Sequence, residues 1–434
     1  MSTPGAIGVD FGTTNTVVAL GDGAGQARLA AFDAPSGPQA TFRSALSYSP
    51  DPSELTGRAV NAGPWAIEAY LDDPGDTRFI QSFKSYAASP LFSETRILGR
   101  RHTFEDMLST FLLRLREHGG AALKETDRRV IVGRPVRFVG AAPNPALALK
   151  RYQAAFERLG FTDVLYVHEP VAAAFFFARR LDRDATVLVA DFGGGTSDFS
   201  IIRFERRDGA FVSRPLGQSG VAVAGDAFDF RIIDNLVSPA LGKGSLYRDF
   251  DNILSLPTRY YASFARWDQL ALMQVSRDMR DIRGLVRKSL EPEKLEKLIE
   301  LIEGNHGYPL YQAVSRLKET LSTESRATFS FQAGRIDIAQ MVERSAFTRW
   351  IAPELAAIAR AVDEALAEAD LKPDQIDRVF LTGGSSFVPA VRALFEARFD
   401  PARIASGSEL ESIATGLALI GAESDLERWC SRAG

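Results

Sequence analysis

Two turns of one composition constrain this chain more than anything else in it. Asp10-Phe11-Gly12-Thr13-Thr14-Asn15 recurs in altered form as Asp191-Phe192-Gly193-Gly194-Gly195-Thr196-Ser197-Asp198. Each follows an apolar, strand-like run (Ile7 to Val9, Val187 to Ala190) and precedes another (Thr16 to Leu20, Phe199 to Phe204). The pattern predicts two strand–turn–strand hairpins whose turns are made of Gly, Thr and carboxylate. Glycine reaches positive φ at little steric cost, so such turns can expose consecutive backbone N–H groups. Those groups form a concave anion site that suits phosphate, and the aspartate before each turn suits a hard cation through oxygen or water. Either turn alone is equally an ordinary tight turn built from Asp and Gly. Their repetition points to a duplicated pair of lobes gripping a polyphosphate from both sides.

The 434 residues leave room for two to four domains and a substantial core. A net charge of −4 supplies no broad basic field, so no nucleic-acid partner is expected. The single cysteine, Cys430, excludes an internal disulfide, and with only four histidines a metal cluster is not expected. Met1 to Gly5 has no signal pattern, and the apolar run Val171 to Ala178 is far below bilayer length. A cytoplasmic monomer without a membrane partner is the expectation.

The first part of the chain alternates strand and helix patterns. Ala34 to Arg58 reads as loop and short strand. Thr103 to His118 reads as a helix with Phe104, Met107, Leu108, Phe111, Leu112 and Leu115 on one face and Gly119 as its stop. A strand is expected over Arg129 to Gly133, and a helix capped by Asn144-Pro145 and closed by Gly160. A second strand, Val164 to His168, leads into the apolar helix Val171 to Leu181. This rhythm implies a largely parallel central sheet covered by helices.

After the second hairpin come strands through Phe211 to Gly217 and a helix from Ala227. The stretch from about Gly242 to Glu324 reads as a mostly helical insertion (Arg277 to Ser289, Glu293 to Glu303, Leu310 to Leu321). Strand signals return at Ala327 to Ala333. A long helix, Thr348 to Ala369, precedes the strand Arg378 to Thr382, and helices near Pro389 to Arg398 and Leu410 to Ala422 end the chain.

Asp10 and Asp191 would flank a Mg²⁺ held largely through its waters, because Mg²⁺ dehydrates reluctantly. Gly383-Gly384-Ser385-Ser386 sits between a strand and a helix, where close backbone approach suits a ribose or phosphate. It lacks the Gly-Lys-Ser/Thr of a P-loop, so an ordinary αβ turn remains the alternative. Glu169 opens a helix in Glu169-Pro170-Val171-Ala172-Ala173-Ala174, where it would orient a water or serve only the helix dipole.

These pieces in this order resemble the actin-like ATPase superfamily, and within it the ATPase domain of the seventy-kilodalton heat-shock chaperones. The resemblance rests on Gly8 to Asn15, Val189 to Asp198, His168 to Ala174, Leu381 to Ser385 and Glu411 to Leu419. The Gly133-Arg134-Pro135 segment and the long helical insertion resemble short, YegD-like members of the class. The resemblance implies an α/β fold of two lobes with a duplicated, ribonuclease H-like core and a subdomain inserted in each. Lobe I would take 1–183 with an insertion at about 36–102, and lobe II 184–407 with a helical insertion at about 231–325. Residues 408–434 would pack back on lobe I, and no substrate-binding domain is expected.

The resemblance also implies roles. Gly12, Thr13, Thr14 and Asn15 would cradle the β- and γ-phosphates of ATP or ADP, opposed by Gly193, Gly194, Gly195 and Thr196. Asp10 and Asp191 would hold Mg²⁺ through water. Lys84 would place the attacking water, Glu169 would orient ion and water, and Thr196 would touch the γ-phosphate. Gly225, Asp226, Lys318, Ser322, Gly383, Gly384, Ser385 and Phe387 would line the ribose and base. Where the family sandwiches adenine between two arginines, this chain aligns Glu319 and Phe387, and Ser315 replaces an acidic ribose contact. The implied activity is slow hydrolysis of ATP with water as acceptor, coupled to lobe closure and read by an unidentified protein partner. A nucleotide-regulated scaffold with little turnover is the main alternative, ahead of a small-metabolite kinase or a filament-forming ATPase.

Overall fold

The computed structural model describes residues 5–34, 37–54, 57–73, 75–138, 142–179, 183–207, 210–265, 270, 273–274, 276–405, 411–423, 425–426 and 429–432. Residues 1–4 of the amino-terminal stretch, and 180–181 and 410 of the expected helices, lie outside the described residues. The chain is mixed α/β and divides into two compact units. One comprises Met1–Ala222, Ile358–Ser386 and Ala393–Gly434; the other comprises Val223–Ala357 and Phe387–Arg392.

Two large sheets in the first unit repeat one plan. In the first, Ile7–Phe11 is flanked on one side by the antiparallel strands Asn15–Gly21 and Ala27–Leu29. On its other side lie Val130–Arg134 and Val164–His168, both parallel. In the second, Ala185–Phe192 has the antiparallel strands Ser197–Arg207 and Ala210–Val221 on one side and the parallel strands Arg378–Thr382 and Ile404–Ala405 on the other. The expectation of a largely parallel sheet is therefore corrected. A two-residue turn after the first strand of each set forces an antiparallel partner, and only the strands reached through helical crossovers run parallel.

The helix Phe104–His118 shows how sequence fixes one wall of this unit. Thr103 and Asp106 form a reciprocal capping box, with the Thr103 N–H donating to Asp106 at 2.7 Å. Its buried residues are Phe104, Met107, Leu108, Phe111, Leu112 and Leu115, the stripe that the spacing predicts. Pro145–Arg158 starts at Asn144, whose side chain accepts the Leu147 N–H at 3.0 Å. Two apolar helices, Glu169–Ala178 and Ser412–Ile420, fill a core shared by both sheets, in which Phe177 stacks on Phe380 at 3.9 Å. They touch at backbone distance: a Cβ on Gly416 would stand 1.9 Å from the Ala172 carbonyl oxygen. Small residues there let the helix that starts at Glu169 lie flat between the sheets.

The second unit holds the helices Gly225–Ile232, Arg277–Val286, Pro292–Glu303 and Gly307–Thr323, and the hairpin Arg326–Ala333 with Ile336–Glu343. It departs from the expected helical insertion in one place, where Leu246–Asp249 and Asn252–Ser255 pair as a short hairpin. The single helix expected over Thr348 to Ala369 is two, Arg344–Trp350 and Ala352–Glu368. Pro353 has no N–H to continue the first helix and suits the first turn of the next, so the chain breaks at Ile351. Ala34 to Arg58 carries more strand than expected, including Ala45–Pro50 between two antiparallel neighbours. Among the described residues no helix is long and apolar enough to cross a membrane.

Candidate functional site

Both hairpin turns are closed by the same bond. The Gly12 N–H donates to the Asn15 carbonyl at 3.1 Å, leaving Thr13-Thr14 as the loop, and the Gly193 N–H donates to the Thr196 carbonyl at 2.9 Å, leaving Gly194-Gly195. None of these glycines takes positive φ, which corrects the reason given above for their presence. Gly12 is instead required by crowding, since a Cβ there would lie 2.3 Å from the Asn15 carbonyl oxygen. A Cβ on Gly195 would meet nothing within 4 Å, so that turn leaves room above its backbone. Phe11 and Phe192 turn into the core, Phe11 against Phe83 at 5.4 Å and Phe192 against Phe395 at 6.0 Å, and fix where each turn begins.

The aspartate one residue before the end of each of these strands lies in the field of Lys84 and Glu169. Lys84 lies in the 3₁₀ turn Phe83–Tyr86, entered through Ser82 in the left-handed region at φ 53°. Burying Phe83 pulls Lys84 inward with it, and its Nζ meets Glu169 Oε1 at 2.7 Å. Glu169 is the first residue of its helix, where the dipole favours a carboxylate. Gly133 passes beneath, with room for a Cβ only 3.1 Å from Glu169 Cγ. Asp191 stands opposite Asp198 across the hairpin, and Asp198 accepts the Arg137 backbone N–H at 3.3 Å.

The electrostatics of this group are lopsided. Asp10, Glu169, Asp191 and Asp198 surround a single lysine, and Glu169, Asp191 and Asp198 are almost wholly buried. Burial first, and then the Glu169 carboxylate, push Asp10 up to about 7 against the pull of Lys84. Asp198 is also pushed up to about 7, by burial and then by Glu169, although Thr196 and the Arg137 N–H hold it down. Asp191 is held well above the usual carboxylate range by burial and by Glu169, Asp10 and Asp198. For Lys84 burial favours the neutral amine, but Glu169, Tyr152 and Asp10 together outweigh it and raise its pKa. The lysine is a fixed cation, and among the described residues no second one pulls on Asp10, Asp191 or Asp198.

That deficit suits a divalent cation. Among the described residues no three His, Cys, Asp or Glu groups converge closely enough to ligate one directly. Asp10 and Asp191 lie in each other's field, and a Mg²⁺ that keeps its waters, with the two carboxylates accepting from them, fits this charge.

The remaining expected residues fall in two places. Gly383 lies beside the second turn at φ 82°, where a Cβ would stand 2.1 Å from the Phe192 carbonyl oxygen, so only glycine fits. Ser385 is buried after it, Gly384 is exposed, and Ser386 Oγ donates to the Gly383 carbonyl at 2.6 Å. In the second unit Gly225 and Asp226 open the helix Gly225–Ile232, whose Asp229 pairs with Lys318 at 2.8 Å. Ser322 Oγ donates to the Lys318 carbonyl of its own helix at 2.9 Å. Glu319 is exposed and accepts from Ser315 Oγ at 3.3 Å, while Phe387 is 53% exposed.

Asp198 had no role assigned from the sequence, although a two-residue loop places residues 191 and 198 opposite each other. Tyr152 carried no signal at all: its hydroxyl is buried with no hydrogen-bond partner among the described residues, in the field of Lys84, Glu169 and Asp10.

The family model described as Hsp70 protein matches residues 86–246 and 301–424 of this chain. The matched segments take in Glu169, Asp191, the Gly193–Thr196 turn, Gly225, Asp226, Lys318, Ser322 and Gly383 to Phe387. Asp10, the Gly12–Asn15 turn and Lys84 precede them.

Proposed function

The chain belongs to the Hsp70 family of chaperone-like, nucleotide-binding proteins, and from that premise we propose that it binds Mg²⁺-ATP and hydrolyses it slowly with water as acceptor. One observation carries the reading: four carboxylates, Asp10, Glu169, Asp191 and Asp198, gather around Lys84 where two hairpin turns of the same geometry end. A polyphosphate would add negative charge to a site already short of cations, so binding requires an accompanying divalent ion. When bound, Mg²⁺ supplies that charge and polarises the terminal phosphate.

Asp10 and Asp191 would hold the ion through its waters, and the N–H groups of Gly12 to Asn15 and Gly193 to Thr196 would cradle the phosphates. Lys84 keeps its proton, so it acts as an electrostatic clamp on phosphate and water and does not serve as a general base. Glu169 holds the lysine in place through their 2.7 Å contact. Hydrolysis in line asks for little more than a positioned water and charge stabilisation. Gly225, Asp226, Lys318, Ser322, Gly383 to Ser385 and Phe387 would take the ribose and base. Lobes of 1–183 and 184–407 would close over ATP, which favours the closed form, and relax when phosphate is lost.

A nucleotide-regulated scaffold with little turnover is the second reading. It is favoured by Glu319, an exposed carboxylate where the family has arginine. Phosphate release measured with ATP, ADP and GTP, with and without Mg²⁺, separates the two. Slow Mg²⁺-dependent release from ATP supports hydrolysis. ATP-dependent stabilisation with release at background supports the scaffold and overturns the proposed activity.

A further inference from the structure

The helix Pro145–Arg158 brings to the acidic cluster one polar group that the hydrolysis described above does not use. Tyr152 is fully buried, and its hydroxyl has no hydrogen-bond partner among the described residues. A buried hydroxyl without a partner forfeits the hydrogen bonds it makes with water in the unfolded chain. Phenylalanine would fill the same space without that penalty.

The hydroxyl is held in place from two directions. The Tyr152 ring stacks on Phe104 and stands edge-on to Phe11, both at 6.0 Å. Phe83, the residue before Lys84, packs against the same two rings. Arg151 is buried as well, and its Nη1 donates to the Tyr86 and Ala87 carbonyls at 2.9 Å. That clamp fastens the helix to the turn Phe83–Tyr86, which carries Lys84. Tyr152 is thereby fixed in the field of Lys84, Glu169 and Asp10.

Hydrogen bonds in this group are unevenly shared. Glu169 is buried, and among the described residues Lys84 alone donates to its carboxylate. An ammonium has three donors, and Glu169 takes one of them. A terminal phosphate that takes up the others draws the ammonium toward itself and weakens its contact with Glu169. A buried carboxylate that loses its cation is strongly destabilised unless another donor replaces it. Gly133, beneath Glu169, has no side chain to offer one.

We propose that Tyr152 is a positioning residue whose hydroxyl donates to Glu169 when Lys84 turns to phosphate. The proposal rests on the nucleotide site argued above, and adds to it the group that lets one lysine serve a carboxylate and a phosphate in turn.

Tyr152→Phe removes the hydroxyl and keeps the ring. Without nucleotide the variant should melt no lower than the wild type. With Mg²⁺, its affinity for ATP should fall about tenfold, as expected for one lost hydrogen bond to a charged group. Its affinity for ADP, which lacks the terminal phosphate, should stay as it was. A tyrosine that only fills the core would move both nucleotides together. A second arm needs no nucleotide: Lys84→Met takes the lysine from Glu169 permanently, so adding Tyr152→Phe to it should lower the melting temperature by several degrees. Equal loss of ATP and ADP affinity, or an unchanged ATP affinity, overturns the proposal. So does a melting shift from Tyr152→Phe that is the same with and without Lys84. A wild-type chain that binds no ATP refutes the nucleotide reading alone, and the Lys84→Met pair then decides for Tyr152. If Lys84→Met does not fold, the ATP and ADP affinities decide.

Discussion

The two hairpins of the first unit are built alike and charged differently. In each, an aspartate is the penultimate residue of the first strand, the phenylalanine that ends it anchors the turn, and one N–H to carbonyl bond closes a two-residue loop. Opposite Asp10, however, stands Val17, whereas opposite Asp191 stands Asp198. Gly12 is crowded and the first loop carries hydroxyls; the second loop is all glycine and is open at Gly195. The two hairpins thus share a backbone plan, while the extra carboxylate and the open glycine belong to one of them. The first copy is completed from elsewhere in the chain, by Lys84 and Glu169. A site that uses both copies is asymmetric although its scaffold is not.

The largest break in that comparison is expected at the lysine. Lys84→Ala leaves Glu169 buried beside Asp10 and Asp191 with no cation, and should cost about 3–5 kcal/mol of stability. It should also reduce phosphate release about 100-fold or more, as loss of a preorganised charge does. Chemical denaturation and single-turnover assays read the two effects separately.

Next, the aspartates should separate stability from function. Asp191→Asn removes a carboxylate that burial and its acidic neighbours hold well above its ordinary range, so the ligand-free protein should melt higher, as should Asp10→Asn. Both variants should lose the Mg²⁺-dependent gain from ATP. A variant that melts lower and keeps that gain would break the account of both residues.

Glycine substitutions should then show the difference in crowding. Gly12→Ala forces a Cβ to 2.3 Å from the Asn15 carbonyl and should cost about 1–3 kcal/mol. Gly195→Ala meets open space and should stay within about 0.5 kcal/mol, while weakening ATP binding if phosphate sits there.

The smallest effect is on pH dependence. Asp10 and Asp198 titrate near 7 in the folded protein against 3.8 as the ordinary value, so the folded state keeps protons that the unfolded state releases. Their favourable contribution is whole below about pH 4, declines as pH rises, and is gone above about pH 7. The ligand-free melting temperature should therefore fall between about pH 4 and pH 7, and Asp198→Asn should flatten the fall. A curve that rises across that window, or an unchanged slope in the variant, would contradict the assignment.

How much of this could be read from residues alone depended on whether the signal was local. The helix Phe104–His118 was legible because its apolar stripe is periodic and Gly119 follows directly, whereas the Thr103–Asp106 capping box at its start was not read. The break at Ile351 was equally local, in Pro353, and was overridden by the apolar pattern running across it. Lys84 and Glu169 are 85 residues apart, and no spacing rule joins them; a family resemblance placed the lysine, and packing around Phe83 and Tyr152 accounts for its burial. The hairpin Leu246–Ser255 was missed because its apolar residues face water, so it lacks the alternation that marks a half-buried strand.

The central claim is that the acidic cluster accepts ATP only together with Mg²⁺. Thermal melting of the intact chain with saturating ATP, in Mg²⁺ or in EDTA, tests it most directly. A rise of several degrees with Mg²⁺-ATP and none with ATP in EDTA is predicted, because ligand at about 100 times its Kd stabilises by about 2.7 kcal/mol. Equal rises in both conditions, or none in either, would contradict it.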